Sequence, residues 1–101
     1  MYKIKWSNEA KLDVKNIYDF IKPKSVQAAK NLVTDIRNAP KSVVFENQFS
    51  VDDYVPECRK IFVKNYKILY IADLHNKTIN VIAVFDTRQN PDKLTDIAVK
   101  P

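Results

Sequence analysis

The sequence predicts an α+β domain: an N-terminal strand, an antiparallel two-helix hairpin, then a three-stranded antiparallel meander, giving a four-stranded sheet with the helices on one face. Three observations predict it. Apolar residues recur at helical spacing between Ser7 and Pro23, and again between Ser25 and Pro40. They alternate at strand spacing in four other stretches. Prolines and polar residues fall where one period gives way to the next.

Tyr2 to Trp6 opens the chain as a strand with Tyr2, Ile4 and Trp6 on one face. Ser7 is a good helix N-cap, and Glu9 in the first turn suits the positive end of the helix dipole. Ala10, Val14, Ile17, Tyr18 and Ile21 make the apolar stripe of the first helix, which Pro23 ends. Ser25 caps the second helix, striped by Val26, Ala29, Leu32, Val33 and Ile36 and stopped by Pro40. A connection of a few residues makes the two helices antiparallel neighbours. Lys41 to Glu57 has no period. Its hydrophobes Val43, Val44, Phe45, Phe49, Val51 and Tyr54 are expected to pin an ordered loop to the core, with Asn47, Asp52, Asp53 and Pro56 as punctuation. Connections of this length are often functional.

Arg59 to Lys64 places Arg59, Ile61 and Val63 on one face and Lys60, Phe62 and Lys64 on the other. Asn65, tolerant of left-handed backbone, marks a tight turn. In Tyr66 to Ala72, Tyr66, Ile68 and Tyr70 oppose Lys67, Leu69 and Ile71. Asp73 to Lys77 is a polar turn. Thr78 to Asp86 carries Ile79, Val81, Ala83 and Phe85 on one face and Ile82 and Val84 on the other, the pattern of a central, doubly covered strand. The first strand has only this later sheet to pair with. The tail from Thr87 holds Arg88, Gln89, Asn90 and Pro91, then a short helical turn around Leu94.

At 101 residues the chain is a single domain, 1–101, and its 46% hydrophobic and 29% charged residues mark it as globular rather than disordered. The net charge of +5, from 17 Lys and Arg against 12 Asp and Glu, favours an anionic partner: nucleic acid, the ribosome or an acidic protein. Solubility alone explains a charge of that size equally well. The excess concentrates in 58–77, where Arg59, Lys60, Lys64, Lys67 and Lys77 face only Asp73.

One cysteine, Cys58, excludes an intramolecular disulfide and fits the cytoplasm. Arg59 beside it could lower its pKa, but a structural thiol is the favoured reading, because the lone His75 is not placed to activate it. No signal-peptide pattern opens the chain, and no apolar run nears the ~20 residues of a membrane span. Without glycine there is no Gly-rich phosphate loop, and with one His and one Cys no zinc site of the usual kind. No metal and no cofactor is expected.

Four stretches resemble the RelE/ParE toxin superfamily of type II toxin–antitoxin systems and plasmid stabilisation proteins. The first is Ile4-Lys5-Trp6-Ser7 with Glu9, Ala10 and Leu12, similar to the family's opening strand and W-S-x-E-A-x-x-D-L. The second is Ile17-Tyr18-Asp19-Phe20-Ile21, with Ala28-Ala29 opening the next helix. The third is Arg59 to Val63 running into Asn65-Tyr66-Lys67-Ile68-Leu69-Tyr70. The fourth is Val81 to Pro91. Each alone is mostly core pattern; their order and spacing across nearly the whole chain carry the match. The resemblance implies the same fold as the periodicity does, and a cognate antitoxin that wraps the toxin. The place expected for it is the second sheet face, with Phe62, Leu69, Ile71, Ile82 and Val84. Cover by the 41–57 loop and the tail is the other reading of that face. Operator DNA is reached only indirectly, through the antitoxin complex.

The superfamily divides by target. ParE-like members bind DNA gyrase and do no chemistry. RelE-like members cut messenger RNA on the ribosome without a metal, which requires a base, an acid and cations for the phosphorane charge. The candidates are Arg59, Lys60, Lys64, Lys67 and Arg88. Arg88 matches an arginine that RelE-like nucleases use to hold phosphate, and Arg59 one that opens the second strand in many members. An ion pair with Asp52, Asp53 or Asp86 is the alternative role for either arginine, and solvated strand-face charge is that of the lysines. RelE-like nucleases also carry a tyrosine or histidine in the tail, where this chain reads Gln89-Asn90-Pro91-Asp92-Lys93-Leu94. His75 lies at the wrong place, and Tyr66 and Tyr70 read as core. A ParE-like, non-catalytic toxin is therefore favoured. A ribosome-dependent endoribonuclease is the alternative, and an inactive family member that only binds antitoxin is the third reading.

Overall fold

The computed structural model describes residues 2–46 and 48–88. Strand β1 (Lys3–Trp6) leads into helix α1 (Asn8–Ile21), helix α2 (Val26–Asn38) and a 3-10 turn (Ala39–Ser42). Strands β2 (Arg59–Val63), β3 (Tyr66–Asp73) and β4 (Thr78–Asp86) follow. The sheet order is β1-β4-β3-β2, with β2, β3 and β4 antiparallel and β1 parallel to β4. The expected turn around Leu94 lies outside the described residues.

Both helices start where local chemistry says they should. The Ser7 hydroxyl accepts from the Ala10 N–H at 3.0 Å, and Ser25 accepts from Ala28 at 3.1 Å. Pro40 falls in the 3-10 turn that follows α2, and Val43 closes over the core just beyond it. The tight turn between β2 and β3 is Lys64-Asn65, and the left-handed backbone falls on Lys64, whose φ is 55°, not on Asn65. With no glycine in the chain, a lysine takes the left-handed position.

The main core lies between the sheet and the helices. Ala10, Val14, Leu32, Val33 and Ile36 meet Ile61, Tyr66, Ile68, Tyr70, Ile79 and Val81 there. Strand β4 does not alternate as its sequence suggests. Leu69 pairs with Ala83 while Tyr70 pairs with Val81, so Ile82 is an extra residue, a β-bulge. The bulge shifts the face of everything after it. Val84 joins the helix-side core, and Ala83 and Phe85 turn to the other face with Leu69. This corrects the expectation that Val84 shares the second face with Phe62.

The same bulge lies where β1 has already ended. Beyond Trp6, residues at the start of α1 take over from the missing strand. Ser7 N–H donates to the Val81 carbonyl at 3.0 Å, and the Ser7 hydroxyl donates to the Ile82 carbonyl at 2.9 Å. The Asp13 carboxylate accepts from the Val84 N–H at 2.9 Å. Burial raises the Asp13 pKa, and this hydrogen bond opposes the rise.

The segment 43–58 passes around the outer edge of β2. Val43 and Phe49 pack on the helix-side core, Phe49 edge-on to Tyr70 at 6.4 Å. Ser50 and Asp52 then hydrogen-bond along the β2 edge, through Lys60 N–H to Ser50 O at 3.0 Å and Asp52 N–H to Cys58 O at 2.8 Å. Val55 and Cys58 end up on the far face, against Leu69, Ala83 and Phe85. Val44, Phe45, Val51 and Tyr54 are exposed, so Val43, Phe49 and Val55 do the anchoring instead of the whole apolar set.

The loop is held there by a buried ion pair. Lys67 Nζ donates to Asp52 Oδ1 at 2.6 Å, with 9% and 0% of their side chains exposed. Asp52 Oδ2 also accepts from the N–H groups of Tyr54 and Val55, both at 2.9 Å. Burial pushes the Asp52 carboxyl up, but Lys67 and these two N–H groups bring it below the ordinary range.

Asp52→Asn leaves Lys67 buried without its counter-charge and should cost about 3–5 kcal/mol by urea unfolding, most of it recovered in Asp52→Asn/Lys67→Met. A single variant as stable as the parent would remove the ion pair from this role. Because the folded Asp52 pKa lies below the unfolded value of about 3.9, its contribution is in place above roughly pH 4 and fades as pH falls further. Asp13→Ala strands the Val84 N–H and should cost about 1–3 kcal/mol in the same assay. Cys58 is buried, and burial pushes its thiol up to about 11. An aromatic disulfide reagent should therefore titrate no thiol in the native chain and one in denaturant; rapid native reaction would show that the loop opens readily.

Candidate functional site

Arg88 and Tyr66 meet where the end of β4 passes the β2–β3 turn, joined by the Thr87 N–H to the Asn65 carbonyl at 2.7 Å. Asp86, the last residue of β4, receives Arg88 Nη2 at 2.6 Å and Nε at 2.9 Å, and the Arg88 backbone N–H at 2.9 Å. A planar guanidinium fork on a carboxylate two residues away is a preorganised pair. Arg88 holds the Asp86 carboxyl far below the usual carboxylate range, and Asp86 raises the Arg88 pKa. The arginine remains exposed, with 71% of its side chain accessible. Tyr66 lies beside this pair but is buried, and burial, reinforced by Asp86, raises the pKa of its hydroxyl.

The other cations are distributed differently from their sequence grouping. Arg59 Nη1 donates to the Phe49 carbonyl at 2.7 Å and so braces the 43–58 loop. Lys67 is buried with Asp52, which corrects its reading as a target-binding or solvated charge. Lys60 Nζ lies 3.5 Å from Asp53 and 5.8 Å from the Phe62 ring. Lys64 is exposed and, among the described residues, makes no ion pair. The three aspartates read as partners for the arginines thus engage Lys67, Lys60 and Arg88 in turn. Two cations of the basic 58–77 segment, Lys60 and Lys67, are thus met by acids from outside it.

The second sheet face is also smaller than its sequence suggests. Phe62 and Ile71 are exposed on it, and Ile82 is half-buried. Leu69, in register between Phe62 and Ile71, is completely covered by Val55 and Cys58, and Val84 faces the helices. Tyr54, half-exposed with Lys67 Nζ 5.3 Å from its ring, is a member of this face that sequence periodicity missed. It sits in a loop, where no strand period assigns a face.

The residues 89–94, read above for an acid or base, lie outside the described residues. Among the described residues no group of three His, Cys, Asp or Glu side chains could hold a metal ion, and no helix is long and apolar enough to cross a membrane.

No curated protein sequence matches the chain. Solved structures do. A chain of the chromosomal ParDE TA system from P. aeruginosa aligns with TM-score 0.70 and 20% identity, over 87% of this chain and 98% of that one. A mutant of the E. coli toxin RelE with two arginines replaced by alanine, in the free state, aligns with TM-score 0.59 and 16% identity, over 97% and 94%. The isolated E. coli RelE toxin aligns with TM-score 0.57 and 14% identity, over 96% of each. At these identities the likenesses show the fold. The family is shown by the sequence model described as the ParE toxin of type II toxin–antitoxin system, parDE, which matches residues 4–91. With that match spanning most of the described sheet and both helices, the chain belongs to the ParE toxin family of type II toxin–antitoxin systems.

Proposed function

We propose that this chain arrests growth by binding DNA gyrase and does not cleave messenger RNA. The observation that carries the reading is the Asp86–Arg88 pair. An arginine that is to hold a scissile phosphate must offer its positive charge, and here the Nε–Nη2 edge of the fork is taken by the Asp86 carboxylate. The Tyr66 hydroxyl beside this pair is buried with its pKa raised and so is a poor proton donor or acceptor for a bound RNA. Lys67, a further candidate for phosphorane charge, is committed to Asp52. A cognate antitoxin is the family's partner, and the remaining exposed groups of the second face, Phe62, Ile71 and Tyr54, are where we place its contact. The ribonuclease reading keeps one observation in its favour, the exposure of Arg88 at the end of β4.

The test is induced expression of the chain without antitoxin, with messenger RNA mapped by primer extension and plasmid supercoiling read from the same culture. Growth arrest with intact messages, altered supercoiling and undiminished arrest by Arg88→Ala is expected. Cuts within translated codons that vanish in Arg88→Ala would establish the ribonuclease instead. A folded, soluble chain that arrests nothing would make it an inactive antitoxin-binding member.

A further inference from the structure

Arg88 is joined to Asp86 by more than one contact. Nη2 donates to Oδ2 at 2.6 Å, Nε to Oδ1 at 2.9 Å and to Oδ2 at 3.2 Å, and the Arg88 backbone N–H to Oδ1 at 2.9 Å. One edge of a guanidinium fork with a backbone N–H beside it suits a phosphate as well as a carboxylate, since both offer paired anionic oxygens to parallel donors. The pair is also within reach of a ligand, because 71% of the Arg88 side chain is accessible.

Further donors gather at the same corner. The bond from Thr87 N–H to the Asn65 carbonyl fixes the end of β4 against the β2–β3 turn. In that turn the Asn65 Nδ2 is enclosed with no acceptor in hydrogen-bond distance among the described residues. A buried donor left without an acceptor is costly, and native structures rarely keep one without a use. Lys64, the residue before it, is exposed and makes no ion pair among the described residues. Between residues 58 and 88 the only other acid is Asp73, which lies at the opposite end of the sheet and binds Asn76. Asp13 of α1 reaches β4 two residues before Asp86 and is engaged by the Val84 N–H. Asp86 is therefore the acid that answers this group of donors.

We propose that Asp86 is a specificity-determining residue: it fills an anion site with the chain's own carboxylate and so keeps nucleic-acid phosphate away from Arg88. The inference rests on the reading of the chain as a toxin that does not act on RNA, and it names the residue that makes it so. The carboxylate is tethered two residues from the fork, so it competes at a local concentration that a free strand does not reach. It also sets a like charge against any incoming phosphodiester, and facing like charges reject a partner. With the carboxylate gone, the Nε–Nη2 edge and the Arg88 N–H are open to phosphodiester oxygens. Asn65 Nδ2 gains access to an acceptor, and Lys64 adds a point charge at the rim. An ion pair that served only to hold the end of β4 makes the same contacts. The two roles differ in what the corner binds once the acid is removed.

The probe is a fluorescein-labelled single-stranded oligoribonucleotide of mixed sequence, titrated with the purified full chain at low salt and read by anisotropy. The parent is expected to bind weakly and to lose little in Arg88→Ala. Asp86→Ala should bind at least about tenfold more tightly, and the isosteric Asp86→Asn by a smaller factor. The gain should vanish in Asp86→Ala/Arg88→Ala and shrink as salt rises. Asp19→Asn makes the same change of net charge on α1, where Asp19 pairs with exposed Lys15, and should gain about twofold at most. Circular dichroism reports whether each variant keeps the parent fold. Unchanged affinity in a folded Asp86→Ala, an equal gain in Asp19→Asn, or a gain that survives Arg88→Ala would each overturn the proposal. So would a parent that already binds through Arg88, since Asp86 would then be no barrier, and so would failure of both Asp86 variants to fold, since the pair would then be structural. Neither ribosome nor gyrase is present in this titration. Message cuts that persist in Arg88→Ala would sink the earlier reading and leave this one standing, whereas Asp86→Ala without a gain sinks this one alone.

Discussion

Lys67 is the second residue of β3, and strand alternation points it at the sheet face away from the helices. An ammonium enclosed there without a counter-charge is expensive, so the fold has to bring it an acid. The acid is Asp52, fifteen residues earlier and off the sheet. To meet Lys67, the chain before β2 must cross the β2 edge and lie on the second face. Val55 and Cys58 arrive with it and cover Leu69, and the second core cluster exists only because they do. Ser50 and Asp52 satisfy backbone groups of the β2 edge on the way, which removes part of an open template for aggregation. Ion pair, second core and edge cover form one cooperative unit.

That unit also redraws the electrostatics. Asp52 and Asp53, which precede the sheet's meander, lie against Lys67 and Lys60 within it, and Asp86 at the end of β4 lies against Arg88. A hairpin that looks basic in sequence has part of its charge offset in space, at Lys60 and Lys67. Lys11, Lys30 and Arg37 on the helices form no ion pair among the described residues, and neither does exposed Lys64 in the β2–β3 turn.

At the other edge of the sheet a different constraint operates. Strand β1 has four residues and β4 has nine, so β4 outruns its parallel partner. Ser7 and Asp13 replace the missing strand by donating and accepting along the exposed edge, and the Ile82 bulge lies within the stretch they serve. Ser7 does this while capping α1, which ties the start of the helix to the sheet.

Element order, both helix caps, the strand bounds near residues 59–63 and 78–86, and the burial of Tyr66 and Tyr70 were legible in the residues alone. They depend on local periods and local hydrogen bonds, which a sequence displays directly. The left-handed Lys64 was not, since asparagine is the more tolerant residue and only the register of the hairpin chose its neighbour. The turn of Val84 toward the helices was not, because a single inserted residue in β4 reverses every side chain after it and leaves no mark on composition. The pairings of Asp52 with Lys67 and Asp53 with Lys60 were open among several acids and cations. Long-range contacts choose among chemically equivalent partners by position in space, and position in space is a property of the packed chain as a whole.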